Sequence, residues 1–198
     1  MNHITFKQYR QIDLSILCLV TAIFESIACL ASTRWFALQA MTVSITLALT
    51  CITMMRWGKF ALLPSFVGSL MYCIFTGAKV EQYIIYCIGS LFCIAALPLL
   101  NVLKKENARK DFIIRTVFVI VTYVSIALGR WLCSLPFDFS FNSLLAFIGT
   151  DILSLLFAIV VMSIAKNVDG LIEDQKSYLI RLEEERIREQ EANLNDPF

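Results

Sequence analysis

Long apolar runs separated by short polar breaks make up most of the chain. The runs fall at about 13–32, 35–55, 60–77, 82–103, 112–133 and 141–165, each close to the ~20 residues a helix needs to cross the hydrocarbon core of a bilayer. Lipid cannot satisfy free backbone groups, and no run alternates apolar with polar as a barrel strand does, so helix is the expected state of all six. The breaks carry turn chemistry: Ser32-Thr33-Arg34, Arg56-Trp57-Gly58-Lys59, Thr76-Gly77-Ala78-Lys79, Ser134-Leu135-Pro136-Phe137-Asp138, and a longer charged stretch from Lys104 to Asp111. After Ala165 the pattern changes. Residues 166–198 are polar, with Val168, Leu171, Ile172, Leu179, Leu182 and Ile187 on one face at helical spacing. Asp169-Gly170 marks a break at the root of this tail, and Glu184 four residues before Arg188 supports an exposed helix. The expected fold is an all-α membrane protein. Residues 1–165 form six transmembrane helices, and residues 166–198 form a charged cytoplasmic helical tail.

Composition strengthens this reading. Apolar residues are 58% of the chain, charged residues 17%, and mean hydropathy is +0.71, against roughly 45–50% and about 25% in soluble domains. A net charge of +1 excludes a basic nucleic-acid binder. The distribution of the 17 Lys and Arg residues sets orientation. Arg34, Lys79 and Arg130 fall on one side, and the other fourteen, from Lys7 and Arg10 to Arg186 and Arg188, fall on the opposite side. By the positive-inside rule both termini are expected in the cytoplasm of a multi-pass cell-membrane protein. Lys7 and Arg10 before an apolar run resemble a signal peptide, but Glu25 in mid-run and the run's length speak against cleavage.

Glu25 and Asp151 lie inside apolar runs, where charge is costly and points to function. In this orientation both fall toward the outer half, at the depth of Arg130, which ends the fifth run beside Trp131. Gly149 and Thr150 before Asp151 leave room for a backbone approach or a ligand. Two explanations stand side by side. Arg130 snorkels to the interface and Asp151 bonds a neighbouring helix, or the three charges line a ligand cavity open to the outside. Aromatic residues including Trp35, Phe36, Tyr83, Tyr86, Trp131, Phe137, Phe139 and Phe141 gather at the outer ends as an interfacial belt, and some of them are placed to stack on a flat ligand. The expected substrate-binding residues are Glu25, Arg130, Asp151, Trp131, Tyr83 and Tyr86.

Small residues mark close helix packing: Cys18, Ala22 and Ser26 recur every four residues on the first run. Gly68-Ser69-Leu70 and Gly89-Ser90-Leu91 echo one another and read as packing. The seven cysteines (Cys18, Cys29, Cys51, Cys73, Cys87, Cys93 and Cys133) form no C-x-x-C pair, and the one histidine is His3. They read as small hydrophobes, and neither a metal nor a cofactor is expected. Glu183-Glu184-Glu185-Arg186-Ile187-Arg188 spells the E-E-x-x-x-R of the intramembrane CAAX-processing proteases. Those acids work inside the membrane with histidines, whereas these lie in a polar tail. With no G-x-S-x-G, P-loop or H-E-x-x-H either, no enzymatic activity is expected.

The first run Asp13–Ser32, the turn Met54-Met55-Arg56-Trp57-Gly58-Lys59, and Thr150-Asp151-Ile152-Leu153-Ser154-Leu155-Leu156-Phe157 in the sixth run carry a family resemblance. Over about residues 10–165 the chain resembles the substrate-binding S-components of energy-coupling factor (ECF) transporters. The resemblance implies a membrane subunit that captures a vitamin- or cofactor-like molecule from outside. It would associate with a transmembrane coupling subunit and cytoplasmic ATPases, which hydrolyse the ATP. Family members dock through A-x-x-x-A on the first helix. Ala22-x-x-x-Ser26, with Cys18 a turn earlier, is the nearest counterpart here, and the charged C-terminal extension departs from the usual plan. The alternative is a non-transporting membrane scaffold similar to the MreD cell-shape proteins, acting through its tail. A third class, a secondary carrier, is disfavoured by the scarcity of ionisable groups inside the runs.

Overall fold

The computed structural model describes residues 5–35, 42–102, 111–137, 142–168 and 170–195, and among these there is no strand. Helix α1 is Phe6–Trp35, α2 is Thr46–Trp57 and α3 is Leu62–Thr76. Helix α4, spanning Val80–Leu100, is composite: a π turn at Ile84–Ile88 and a 3-10 stretch at Leu91–Ala96 interrupt it. Helix α5 is Phe112–Ser134, α6 is Asn142–Thr150, α7 is Ile152–Ala165 and α8 is Gln175–Asn195.

Among the described residues, four helical stretches are long and apolar enough to cross a membrane: Phe6–Ser32, Thr46–Thr76, Val80–Leu100 and Phe112–Phe137. The bent pair α6–α7 brings the number to five if it is taken as one broken span. The second stretch is not one rod. Gly58, at φ +59, ends α2 in a conformation that side chains resist, and Gly68 packs against the Thr46 side chain. A straight helix would hold those two residues about 33 Å apart. Thr46–Thr76 is therefore a hairpin in which α2 and α3 run antiparallel, where the sequence pattern shows two runs. Residues 36–41 of the expected second run lie outside the described residues.

The expected sixth run, 141–165, is not continuous. It bends by 45° between α6 and α7, with Asp151 at φ −98, ψ 10 between them. The physical cause is competition for backbone. The Thr42 amide donates to the Thr150 carbonyl at 2.9 Å, and the Ser154 hydroxyl donates to the Thr42 carbonyl at 3.2 Å. An extended segment thus docks into the elbow.

Many large apolar side chains face outward, and a set of polar ones lies inside with the apolar core. Ile12, Ile16, Leu19, Ile23 and Ile27 of α1 are exposed, as are Val160 and Ile164 of α7, while Thr21, Glu25, Thr50, Ser65, Ser90, Thr122 and Ser154 are buried. Lipid is as apolar as leucine, so polar groups gain most from facing inward. Several hydroxyls bond back along their own helix, such as Thr21 to the Leu17 carbonyl, Thr53 to Leu49 and Thr122 to Phe118. The core brings Met54 and Met55 of α2, Cys93 and Leu100 from the fourth stretch, Phe118 of α5 and Met162 of α7 together.

Two crossings are set by small residues. A Cβ on Gly89 would run into the Arg130 backbone, and one on Gly129 into the Gly89 carbonyl and Phe92, so α4 and α5 touch backbone to backbone. Ser65 and Ser90 donate to each other's carbonyls at 3.0 and 3.4 Å, tying α3 to α4. In the sequence echo at 68–70 and 89–91, Gly68, Gly89 and Ser90 thus make close packing contacts.

At one end of the bundle the tail is fixed. Arg56 bonds both carboxylate oxygens of Asp13, at 2.8 and 3.1 Å, and donates to the carbonyls of Gly170 (3.0 Å) and Leu171 (3.4 Å). The Trp57 indole N–H donates to the same carboxylate. Gln175 donates to the Gly170 carbonyl at 2.7 Å and accepts from the Tyr9 hydroxyl at 3.2 Å. The start of α1 and the root of α8 therefore lie on the same end of the molecule. The tail is not solvated throughout: Ile172 and Gln175 are buried, and the face expected from Val168 to Ile187 splits, with Val168 and Ile187 exposed.

Candidate functional site

The site begins with a helix end that lacks its own cap. Helix α2 starts at Thr46 with no side-chain cap from its N-cap residue Ile45, only a 3.2 Å bond from the Thr46 amide to the Ser44 hydroxyl, which leaves amide donors without intrahelical partners. Glu25 of α1 supplies the acceptor. Its Oε2 takes the amides of Ile45 (2.9 Å) and Thr46 (3.1 Å) and the hydroxyls of Ser44 (3.0 Å) and Thr46 (2.9 Å). The carboxylate, 1% exposed, sits where the helix dipole favours negative charge. Four donors and a positive helix end explain how an acid survives at this depth.

Beside it, Arg130 at the end of α5 reaches across to the elbow. Its Nη1 pairs with Asp151 Oδ2, and Asp151 Oδ1 accepts from the Thr42 hydroxyl at 2.8 Å. Both side chains are mostly shielded, at 13% and 16% exposure. The guanidinium stacks 4.7 Å from the Tyr86 ring centroid. Tyr86 meets Tyr72 at 5.0 Å between centroids and takes Phe147 edge-on at 6.2 Å. The π turn at Ile84–Ile88 carries Tyr86, and such turns recur at functional sites. Arg130 Nε is buried with no hydrogen-bond partner among the described residues.

These groups enclose a recess lined by Glu25, Thr42, Ser44, Thr46, Gly68, Ser69, Tyr72, Tyr86, Arg130 and Asp151. It measures about 20 Å³, room for a water molecule or two. Glu25, Arg130, Asp151 and Tyr86 thus meet as the sequence leads one to expect. Tyr83 and Trp131 are not among the lining residues. Arg130 does more than snorkel, because it pairs with Asp151 and stacks on Tyr86.

The sequence reading missed the hydroxyl wall and Tyr72. One signal was present: Thr42-Val43-Ser44-Ile45-Thr46 alternates polar with apolar inside apolar surroundings, the mark of an extended segment with one polar face. On α1 the inward stripe is Leu14, Thr21, Glu25 and Cys29. Cys18, Ala22 and Ser26 lie half-buried at its edge, the Ser26 hydroxyl bonded to the Ala22 carbonyl at 2.6 Å. Searches against protein-family models, curated proteins and solved structures give no match to this chain.

Proposed function

We propose that the protein is the substrate-binding membrane subunit of an ATP-driven uptake system, similar in plan to an ECF S-component. In this reading the chain makes six passes through the cell membrane, with both termini cytoplasmic. The hairpin at Gly58 and the shared end of Tyr9 and Gln175 support an even count, and the Lys and Arg distribution supports the orientation. One observation carries the function: charged, phenolic and hydroxyl groups from separate helices face a common recess inside an apolar bundle. Such groups are expensive at membrane depth and are the default mark of a ligand site.

Glu25 is the wall, because its Oε2 already serves α2. Arg130, Asp151, Tyr86 and Tyr72 are the ligand face: an ion pair and stacked rings suited to a small, flat, partly apolar molecule. The recess as it stands is closed. Binding a vitamin-sized molecule widens it where the segment 42–45 docks into the α6–α7 elbow, a contact made by hydrogen bonds from Thr42 and Ser44. The half-buried Cys18–Ala22–Ser26 edge of α1 is the docking face for a coupling subunit. ATP hydrolysis belongs to partner ATPases, since the sequence has no phosphate loop.

The test is native mass spectrometry of the protein from mild detergent. A bound small molecule of defined mass on the wild type, absent from Arg130→Ala, is the expected result. A wild type that carries nothing, or a ligand retained equally by the variant, overturns the reading. A scaffold acting through the tail is the second reading, favoured by the Asp13–Arg56–Gly170 bonds that fix the root of α8. Under it, no small molecule is found, and partners that co-purify depend on residues 175–195 alone.

A further inference from the structure

Two helices diverge at the end of the bundle that carries the tail, leaving a groove of about 510 Å³ between the start of α1 and the start of α8. Its lining is Phe6, Tyr9, Leu179 and Ile180 together with the charged Lys176 and Glu183. Around it lies an aromatic and basic belt. Trp57 meets Phe6 and Tyr9 at 5.6 and 6.1 Å. The cations of Arg10 and Lys59 share the Phe60 ring, at 4.5 and 5.8 Å. Depth follows from helix geometry. The exposed apolar face of α1 gives way at Ile12 and Asp13, and Tyr9 lies about 6 Å beyond Asp13, with Phe6 a turn further out at about 10 Å. Tyr9 thus falls in the headgroup layer, about 5–8 Å thick on each side of the hydrocarbon, where Trp and Tyr collect, and Phe6 at its outer limit.

We propose that this groove holds an anionic phospholipid of the surrounding bilayer. Its phosphate is recognised by Lys176, Arg10 and Lys59, and its glycerol and upper chains lie against Phe6, Tyr9, Leu179 and Ile180. Charge decides the class of lipid. The acids beside the belt are engaged: Asp13 pairs with Arg56, Glu173 pairs with Arg181, Asp174 accepts from the Ser177 hydroxyl, and Glu183 stands two turns of α8 beyond Lys176, about 10 Å further along that helix. The proposal does not depend on the function of the recess.

Native mass spectrometry of the full chain in mild detergent, with phosphatidylglycerol or phosphatidylcholine of matched chains added, tests it. Wild type retains phosphatidylglycerol in preference, and each basic residue lost lowers that preference about fivefold, reaching parity in Arg10→Gln/Lys59→Gln/Lys176→Gln. Lys176→Gln alone, at an exposed side chain, keeps the test valid if the triple variant misfolds. Equal retention of the two lipids by wild type, or an undiminished preference in Lys176→Gln, overturns the proposal. So does displacement of the lipid by millimolar inorganic phosphate, or a lipid-free dimer occupying the groove.

Discussion

Asp13 and Glu25 hold opposite ends of α2, one through the Arg56 guanidinium and one through backbone amides. They lie about 18 Å apart on α1, close to the length of α2 itself, so the two helices are pinned side by side at both ends. For Glu25 this gives a sharp consequence. Glu25→Ala leaves the Ser44 and Thr46 hydroxyls and the Ile45 amide without this acceptor, and the Thr46 amide with the Ser44 hydroxyl alone, beside a recess with room for a water molecule or two. The expected cost is roughly 3 kcal/mol, read as earlier unfolding in a denaturant titration of detergent-solubilised protein. Glu25→Gln keeps an acceptor oxygen and loses the charge, so its loss is smaller. Equal stability of wild type and Glu25→Ala would mean that the carboxylate serves a ligand and not the helix end.

At the scale of elements, glycines decide which helices touch. Gly89 and Gly149 make a contrasting pair. A methyl group on Gly89 meets the Arg130 backbone, while one on Gly149 meets nothing within 4 Å. Gly89→Ala therefore forces α4 from α5, at a cost of about 1–3 kcal/mol, and shifts Arg130 against Asp151. Gly149→Ala is expected to be neutral or to gain about 0.5–1 kcal/mol from the lower backbone entropy of alanine. Thermal unfolding of the two purified variants, side by side, checks both signs.

This contrast also shows what the chain discloses without coordinates. Run length and lipid's intolerance of bare backbone make the helices legible, and the depth of Glu25, Asp151 and Arg130 makes their meeting legible. Which glycine lies at a crossing depends on partner helices, and nothing within a run encodes that. The same holds for the bend at Asp151. An apolar run reads as one span until another segment, Thr42–Ile45, offers its backbone bonds to the elbow. Tyr72 escaped notice because an aromatic near a helix end looks the same whether it faces a headgroup or a cavity.

The whole molecule is closed at its tail end by a single arginine that answers to three parts of the chain. Arg56 joins α2 to α1 through Asp13, and to the turn before α8 through the Gly170 and Leu171 carbonyls. Gly170, at φ +69, turns the backbone there, and a Cβ at that position would strike the Tyr178 ring. Removing the guanidinium leaves Asp13, 18% exposed, without its counter-ion and frees two carbonyls at the root of the tail. Opening of α8 then becomes easier while the bundle stays folded, because local openings draw on local contacts. Trypsin cleavage after Lys176 follows that opening. Its rate in Arg56→Ala should rise about tenfold for each 1.4 kcal/mol of lost restraint, with fragments of the apolar bundle released no faster than from wild type. The double variant Asp13→Asn/Arg56→Gln removes both charges, so its tail should be cut more slowly than that of Arg56→Ala. Fragment masses over a digestion time course distinguish the three proteins. If all three release the tail at one rate, the buried side chains of Ile172 and Gln175 hold α8, and Arg56 serves only to pair α1 with α2.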